Sequence, residues 1–160
     1  MNRVRLALVA LASLAAVASA RAETAQQEVI LSLNPDELAK LMQDMGYRAE
    51  ILKNDDGKRR IRTRIGGWNV TINLYSCGGN EDCKSIGIRT FFQNEKDRQL
   101  SFPNDWNRDK RFCKAYIDKD GDINLEYDIL FTNGVTRDNI RSYFDVYEDQ
   151  LKEFVDALRK

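Results

Sequence analysis

The sequence predicts an α+β fold: an antiparallel sheet of about five to six strands flanked by an N-terminal, a short middle and a long C-terminal helix. Three observations predict it. Short runs of alternating apolar and polar residues recur, punctuated by Asn-Asp-Asp-Gly, Gly-Gly and Asp-Gly turns. An apolar stripe of helical period runs through residues 140–158. The strand-like runs follow one another instead of alternating with helices, so the βαβ pattern of a parallel sheet is missing. With 160 residues, 42% hydrophobic and 31% charged, the chain has the size and balance of one globular domain.

The N-terminus differs from the rest. Arg3 and Arg5 precede an apolar run from Leu6 to Val17, which ends in small residues. Ala18-Ser19-Ala20 and Ala20-Arg21-Ala22 both read as A-x-A cleavage patterns. The run is about 13 residues long, short of the roughly 20 that span a bilayer. The expected organisation is therefore a secretory signal peptide over 1–22, a leader over 23–27 and one domain over 28–160. That places the mature protein in the periplasm or outside the cell, with no integral membrane segment after cleavage. No cysteine follows the apolar run to carry a lipid, and Arg3 and Arg5 are not a twin-arginine pair. Cleavage after Ala22 removes three arginines and no acid, leaving a formal charge of about −3, which does not favour nucleic acid as a partner.

Residues 28–33 read as a short strand. Asn34 then caps a helix, with Pro35 at its first position and Glu37 completing a capping box. Leu38, Leu41, Met42 and Met45 share one face, and Gly46 ends the helix. Four strands follow over 48–53, 58–65, 68–77 and 83–92. The turn at 54–57 joins the first two, and Gly66-Gly67 makes a two-residue hairpin. In the second strand Ile61, Thr63 and Ile65 point one way and Arg60, Arg62 and Arg64 the other. In the third, Trp68, Val70, Ile72 and Leu74 point inward, as do Ile86, Ile88 and Phe92 in the fourth. Residues 93–102 form a polar connection to a short helix over 103–112, capped by Asn104. A second hairpin spans 113–118 and 122–130. Thr136 caps the last helix, whose stripe is Ile140, Tyr143, Phe144, Tyr147, Leu151, Phe154, Val155 and Leu158.

Cys77 and Cys83 stand at facing ends of one hairpin. By strand parity Cys77 lies outward with Tyr75, and Cys83 outward with Ser85 and Arg89. Facing residues of an antiparallel pair come within disulfide range, and an exported protein meets an oxidising compartment. The expectation is a structural Cys77–Cys83 disulfide. Zinc would want four Cys or His ligands, commonly at C-x-x-C spacing; here the spacing is C-x5-C and the chain has no histidine. A dithiol redox centre would also need C-x-x-C. Cys113 falls inward with Ala115 and Ile117, as a buried free thiol.

The acidic run Asp118 to Asp122 does not meet the calcium-loop pattern, because Gly121 falls at position four and Ile129 at position twelve. A hairpin turn accounts for it, and no metal or other cofactor is expected. The outward stripe of Arg60, Arg62 and Arg64 could hold an anionic ligand, a carboxylate-bearing peptide or a lipid headgroup. The more ordinary reading is internal pairing, since the second hairpin offers Glu126 and Asp128 on its outward face, or simple solvation of a sheet surface. Without histidine, nucleophilic catalysis lacks its usual base, and no pair of carboxylates can be assembled from sequence. The sequence therefore predicts no catalytic residue and no enzyme, with an unrecognised hydrolase as the remaining alternative.

With the elements placed, five stretches resemble the YbjN family of bacterial sensory transduction regulators: LNPDELAKLMQDMGY, GGWNVTINLYSC, KSIGIRTFF after the second cysteine, NDWNRDKRF before a strand, and TNGVTRDNIRSYFDVY. The resemblance spans nearly all of 30–158. It implies a sheet flanked by helices similar to the type III secretion chaperone fold, a module that binds a protein or peptide without a known reaction, and homodimerisation. An export signal departs from the cytoplasmic setting that a sensory regulator implies. Within the Trp-Asn-Arg-Asp-Lys-Arg-Phe segment, Trp106 either anchors its helix to the sheet, leaving Arg108, Asp109 and Lys110 exposed, or stands at the rim of a partner surface. The candidate binding residues are thus Arg60, Arg62, Arg64, Trp106, Arg108 and Lys110. The function expected is a non-catalytic periplasmic module of chaperone-like or regulatory character; the alternative is a small anionic-ligand or lipid-headgroup binder.

Overall fold

The computed structural model describes residues 28–93 and 101–160. The signal peptide and leader expected over 1–27 lie outside the described residues, as does most of the 93–102 connection.

Helix α1 (Pro35–Asp44) starts as its sequence dictates. The Asn34 side chain accepts from the backbone N–H groups of Asp36 and Glu37, and Glu37 accepts from the Asn34 N–H in return. Leu38 and Met42 are fully buried. Strands β2 (Glu50–Lys53), β3 (Arg59–Ile65), β4 (Trp68–Cys77) and β5 (Cys83–Phe92) form an antiparallel meander. Gly66 and Gly67 both take positive φ, 56° and 86°, which a two-residue hairpin turn requires and which a side chain would oppose.

Helix α2 (Ser101–Asp109) leads to the edge strand β6 (Lys114–Ile117), and β7 (Ile123–Leu130) returns between β6 and β5. Because β7 is antiparallel to both, β5 and β6 run in the same direction and α2 makes the crossover. Asn104 is not the cap expected of it. Ser101 and Phe102 before it are already helical, so Asn104 lies inside the helix and not at its cap. A short ribbon pairs β1 (Val29–Ile30) with β8 (Val135–Thr136). Helix α3 (Arg137–Leu158) closes the chain, opened by a reciprocal Thr136–Asn139 box.

One core holds the molecule together. Leu38 and Met42 of α1, Trp106 of α2 and the α3 stripe all pack with Ile61, Ile65, Ile72, Ile86, Ile88 and Leu125 of the sheet. Tyr147, fully buried, places its hydroxyl 2.9 Å from Thr90 Oγ1 and 3.3 Å from the Leu125 carbonyl. Burial pushes that phenol well above its usual range. All three helices thus share one face of the six-stranded sheet, and no described element covers the other.

Cys77 and Cys83 are joined, with Cα atoms 3.8 Å apart. Cys83 corrects the parity reading in one respect: it is buried, because Leu33 pairs with its backbone beyond the end of β7. The disulfide loop is tied to α1 through Arg59, which donates to Glu81 and to Asp36 at 2.8 Å each. Cys113 is a buried free thiol, and desolvation pushes it up to about 12.

Candidate functional site on the uncovered sheet face

Strand β3 sends Arg60, Arg62 and Arg64 to the uncovered face because the residues between and beyond them, Ile61, Thr63 and Ile65, enter the core. Register then carries a row across the whole sheet, one residue per strand: Glu50, Arg62, Thr71, Arg89, Glu126, Lys114. Opposite charges alternate along it on either side of Thr71, the arrangement that favours neighbouring strands.

The three arginines have three different fates. Arg62 donates to Glu50 of β2, its NH2 group 2.6 Å from Oε2. Arg64 donates to the Gly67 carbonyl at 2.7 Å. Arg60 has no ion pair among the described residues, and its Nε is buried without a hydrogen-bond partner. The internal partners offered by sequence, Glu126 and Asp128, serve elsewhere. Two strands separate β7 from β3. Glu126 accepts from the Tyr116 hydroxyl at 2.8 Å, and Asp128 accepts from Lys114 at 2.7 Å. Strand order, which parity does not reveal, decides this.

Arg89, on the same face, holds the second hairpin. Its Nε donates to Asn124 Oδ1 at 2.6 Å and its NH2 group to Asp118 Oδ2 at 3.0 Å. Its guanidinium carbon lies 5.9 Å from the ring centres of both Phe91 and Tyr116. The Asp118 carboxylate also accepts from the Asp120 and Asp122 backbone and from Asn124. The hydrogen bond from Asn124, with the backbone bonds and Arg89, holds its carboxyl below the usual range. The acidic run is therefore a turn whose first carboxylate is already engaged. Among the described residues no three His, Cys, Asp or Glu gather to hold a metal ion.

Tyr75 lies across Gly87, where a Cβ would stand 3.0 Å from its ring and 3.1 Å from the carboxylates of Glu126 and Asp128. Burial, with those carboxylates, pushes the Tyr75 phenol up. Tyr75, Phe91 and Leu130 remain 44%, 49% and 68% exposed on this face. Sequence reasoning had placed Arg89 outward but had not singled it out, and it passed over Tyr75, Phe91 and Leu130. Their signal was parity: each is an apolar or amphipathic residue at an outward strand position.

The α2 segment resolves differently. Trp106 is 5% exposed, donates from Nε1 to the Cys113 carbonyl at 3.2 Å, and meets Phe154 edge-on with ring centres 4.8 Å apart. It anchors α2. Arg108 is exposed but bound by Asp105 and Asp109, and Lys110 by Glu153 at 2.6 Å. The α2–α3 groove, about 430 Å³, is lined by Asp105, Asp109, Glu153 and Asp156 among others. A general acid needs a carboxyl held protonated near neutrality. Here the Arg108 hydrogen bond holds Asp109 below the usual range instead. The groove gathers acids, three of them paired to cations. The structure thus brings the arginine stripe and the α2 segment to separate places and does not join them in one site.

A family model described as "YbjN: Putative bacterial sensory transduction regulator" matches residues 34–160. The fold is similar to that of a solved structure titled "Crystal structure of YbjN, a putative transcription regulator from E. coli", with a TM-score of 0.60 at 15% identity, covering 79% of this chain and 91% of that one. No curated protein matches the sequence.

Proposed function

The chain belongs to the YbjN family, and from that membership and the uncovered sheet face we propose that it is a non-catalytic module that binds a protein or peptide partner in the periplasm. The observation that carries the proposal is the one-sided distribution of helices. A six-stranded sheet with one bare face presents Tyr75, Phe91 and Leu130 on the same face as Arg89, Glu126 and Asp128, whose charges are already paired. Rigid aromatic and apolar anchors surrounded by neutralised charge are what a protein partner can bury at low desolvation cost. The family's regulatory description supports a binding role over a catalytic one. The basic, apolar and A-x-A pattern of residues 3–22 and the Cys77–Cys83 disulfide support the compartment. Among the described residues no helix is long and apolar enough to cross a membrane.

The test is site-specific photocrosslinking in living cells. A crosslinking residue at Phe91 should capture a discrete partner that one at Asp145, on the outer side of α3, does not capture. The paired substitution Tyr75→Ala and Leu130→Asp should abolish capture while the fold survives. Equal capture from both positions, or none from Phe91, overturns the reading. Light scattering on the purified protein separates a second copy of the chain from a foreign partner. Fractionation with N-terminal sequencing tests the compartment: a mature chain beginning after Ala20 or Ala22 is expected.

A further inference from the structure

Beyond the protein-binding face, the end of β2 leaves a basic recess. The last pair between β2 and β3 is Glu50 with Arg62, yet β3 continues to Ile65. Arg48 lies beside the unpaired stretch instead of bonding to it. The recess has a volume of about 250 Å³, with Arg48, Glu50, Arg62, Thr63, Arg64 and Asn69 in its lining. Three guanidinium groups and one carboxylate leave it a formal charge of about +2. Among the described residues Glu50 pairs with Arg62 alone, and no carboxylate pairs with Arg48 or Arg64. Thr63 lies in the same stretch of β3, with its side chain turned to the core. Arg48 and Arg64 thus bring two guanidinium groups without a carboxylate partner to one concave place.

We propose that this recess binds one phosphate group, free or carried on a lipid headgroup. A phosphate monoester is close to a dianion at neutral pH and matches the recess in charge. Arginine forks suit its oxygens better than ammonium groups do. The Asn69 amide is a neutral donor within the same lining. Glu50 acts as a built-in competitor: it occupies the Arg62 fork that the ligand must share. The site takes Arg62 and Arg64 from the outward stripe, adds Arg48, and leaves out Arg60, which does not line the recess.

The test is a titration of the purified protein with inorganic phosphate, followed by backbone and arginine Nε NMR shifts. Saturable shifts at Thr63, Arg64 and Asn69 are expected. Arg48→Ala and Arg64→Ala should each weaken binding by about fivefold or more, and Arg64→Lys by less, since it keeps the charge and loses the fork. Glu50→Gln should tighten binding, an outcome that a purely structural role for these residues would not produce. Arg60→Ala should change it by less than about twofold, with circular dichroism confirming that each variant folds. Absence of saturation up to about 10 mM phosphate, or indifference to Arg48→Ala and Glu50→Gln, overturns the site. Sedimentation with vesicles containing phosphatidic acid, against phosphatidylcholine alone, identifies the source. Vesicle binding lost in Arg48→Ala indicates a headgroup, and phosphate binding without vesicle binding indicates a soluble ligand. Because Phe91 and Leu130 do not line the recess, partner capture at Phe91 and phosphate binding fail independently.

Discussion

Asp118 shows how much one side chain can organise. Its carboxylate takes bonds from Asn124, the Asp120 and Asp122 backbone, and Arg89 across the sheet. The folded protein therefore releases this proton more readily than the unfolded chain does. Its contribution to stability is complete above the ordinary aspartate value of roughly 4 and is lost as pH falls through the lower, folded-state value. The direct check is Asp118→Asn, which should flatten the pH dependence of stability below about pH 4. Gly87 makes a second case at this scale. A methyl group there meets the Tyr75 ring and two carboxylates at once, so Gly87→Ala should cost about 1–3 kcal/mol in denaturant unfolding and displace Tyr75. The first case was half legible: Asp-Gly marks the turn, but the reach of Arg89 from another strand does not appear in sequence. The second was not legible, because a strand glycine reports a close approach without naming what approaches.

Among the elements, the β4–β5 hairpin and α2 make the clearest predictions. The disulfide closes a loop of six-residue separation, so Cys77→Ser with Cys83→Ser should lower stability by about 2 kcal/mol, measured by denaturant titration. Peptide mass spectrometry without reductant should recover the two cysteines joined. The same loop carries Glu81, the partner of Arg59, so the loss should also loosen the tie to α1. For α2, Trp106→Ala removes a buried indole together with its bond to the Cys113 carbonyl. A loss of about 3–5 kcal/mol is expected from thermal or denaturant unfolding. Helices α1 and α3 were legible down to their caps because capping boxes are local chemistry. The start of α2 was not: Pro103 reads as a first helical residue, yet Ser101 and Phe102 before it are already helical.

For the molecule as a whole, a single core joining all three helices to one sheet face should unfold as a unit. The two tryptophans serve as probes in different neighbourhoods, Trp68 against Phe92 and Trp106 against Phe154. Their fluorescence and far-ultraviolet circular dichroism should give coincident transitions in urea. Two separated transitions would show that the β2–β4 end folds apart from the rest. The bare face was legible as a set of outward residues. Its organisation was not, because a charge row one residue wide on each strand depends on strand order. That order places β7 between β5 and β6 and so puts Glu126 beside Arg89 and Lys114, out of reach of the β3 arginines.

The sequence by itself determined the α+β class, the caps of α1 and α3, the hairpin turns, the apolar faces of the strands and of those two helices, and the pairing of Cys77 with Cys83. Each of these rests on interactions between residues near in the chain, or on a period of two or 3.6 that any strand or helix must obey. Tertiary structure alone decided that every helix lies on one side of the sheet, that Leu33 buries Cys83, and that β2 ends early enough to leave Arg48 beside Arg64. Those outcomes depend on which distant segments meet, and local pattern carries no record of that choice.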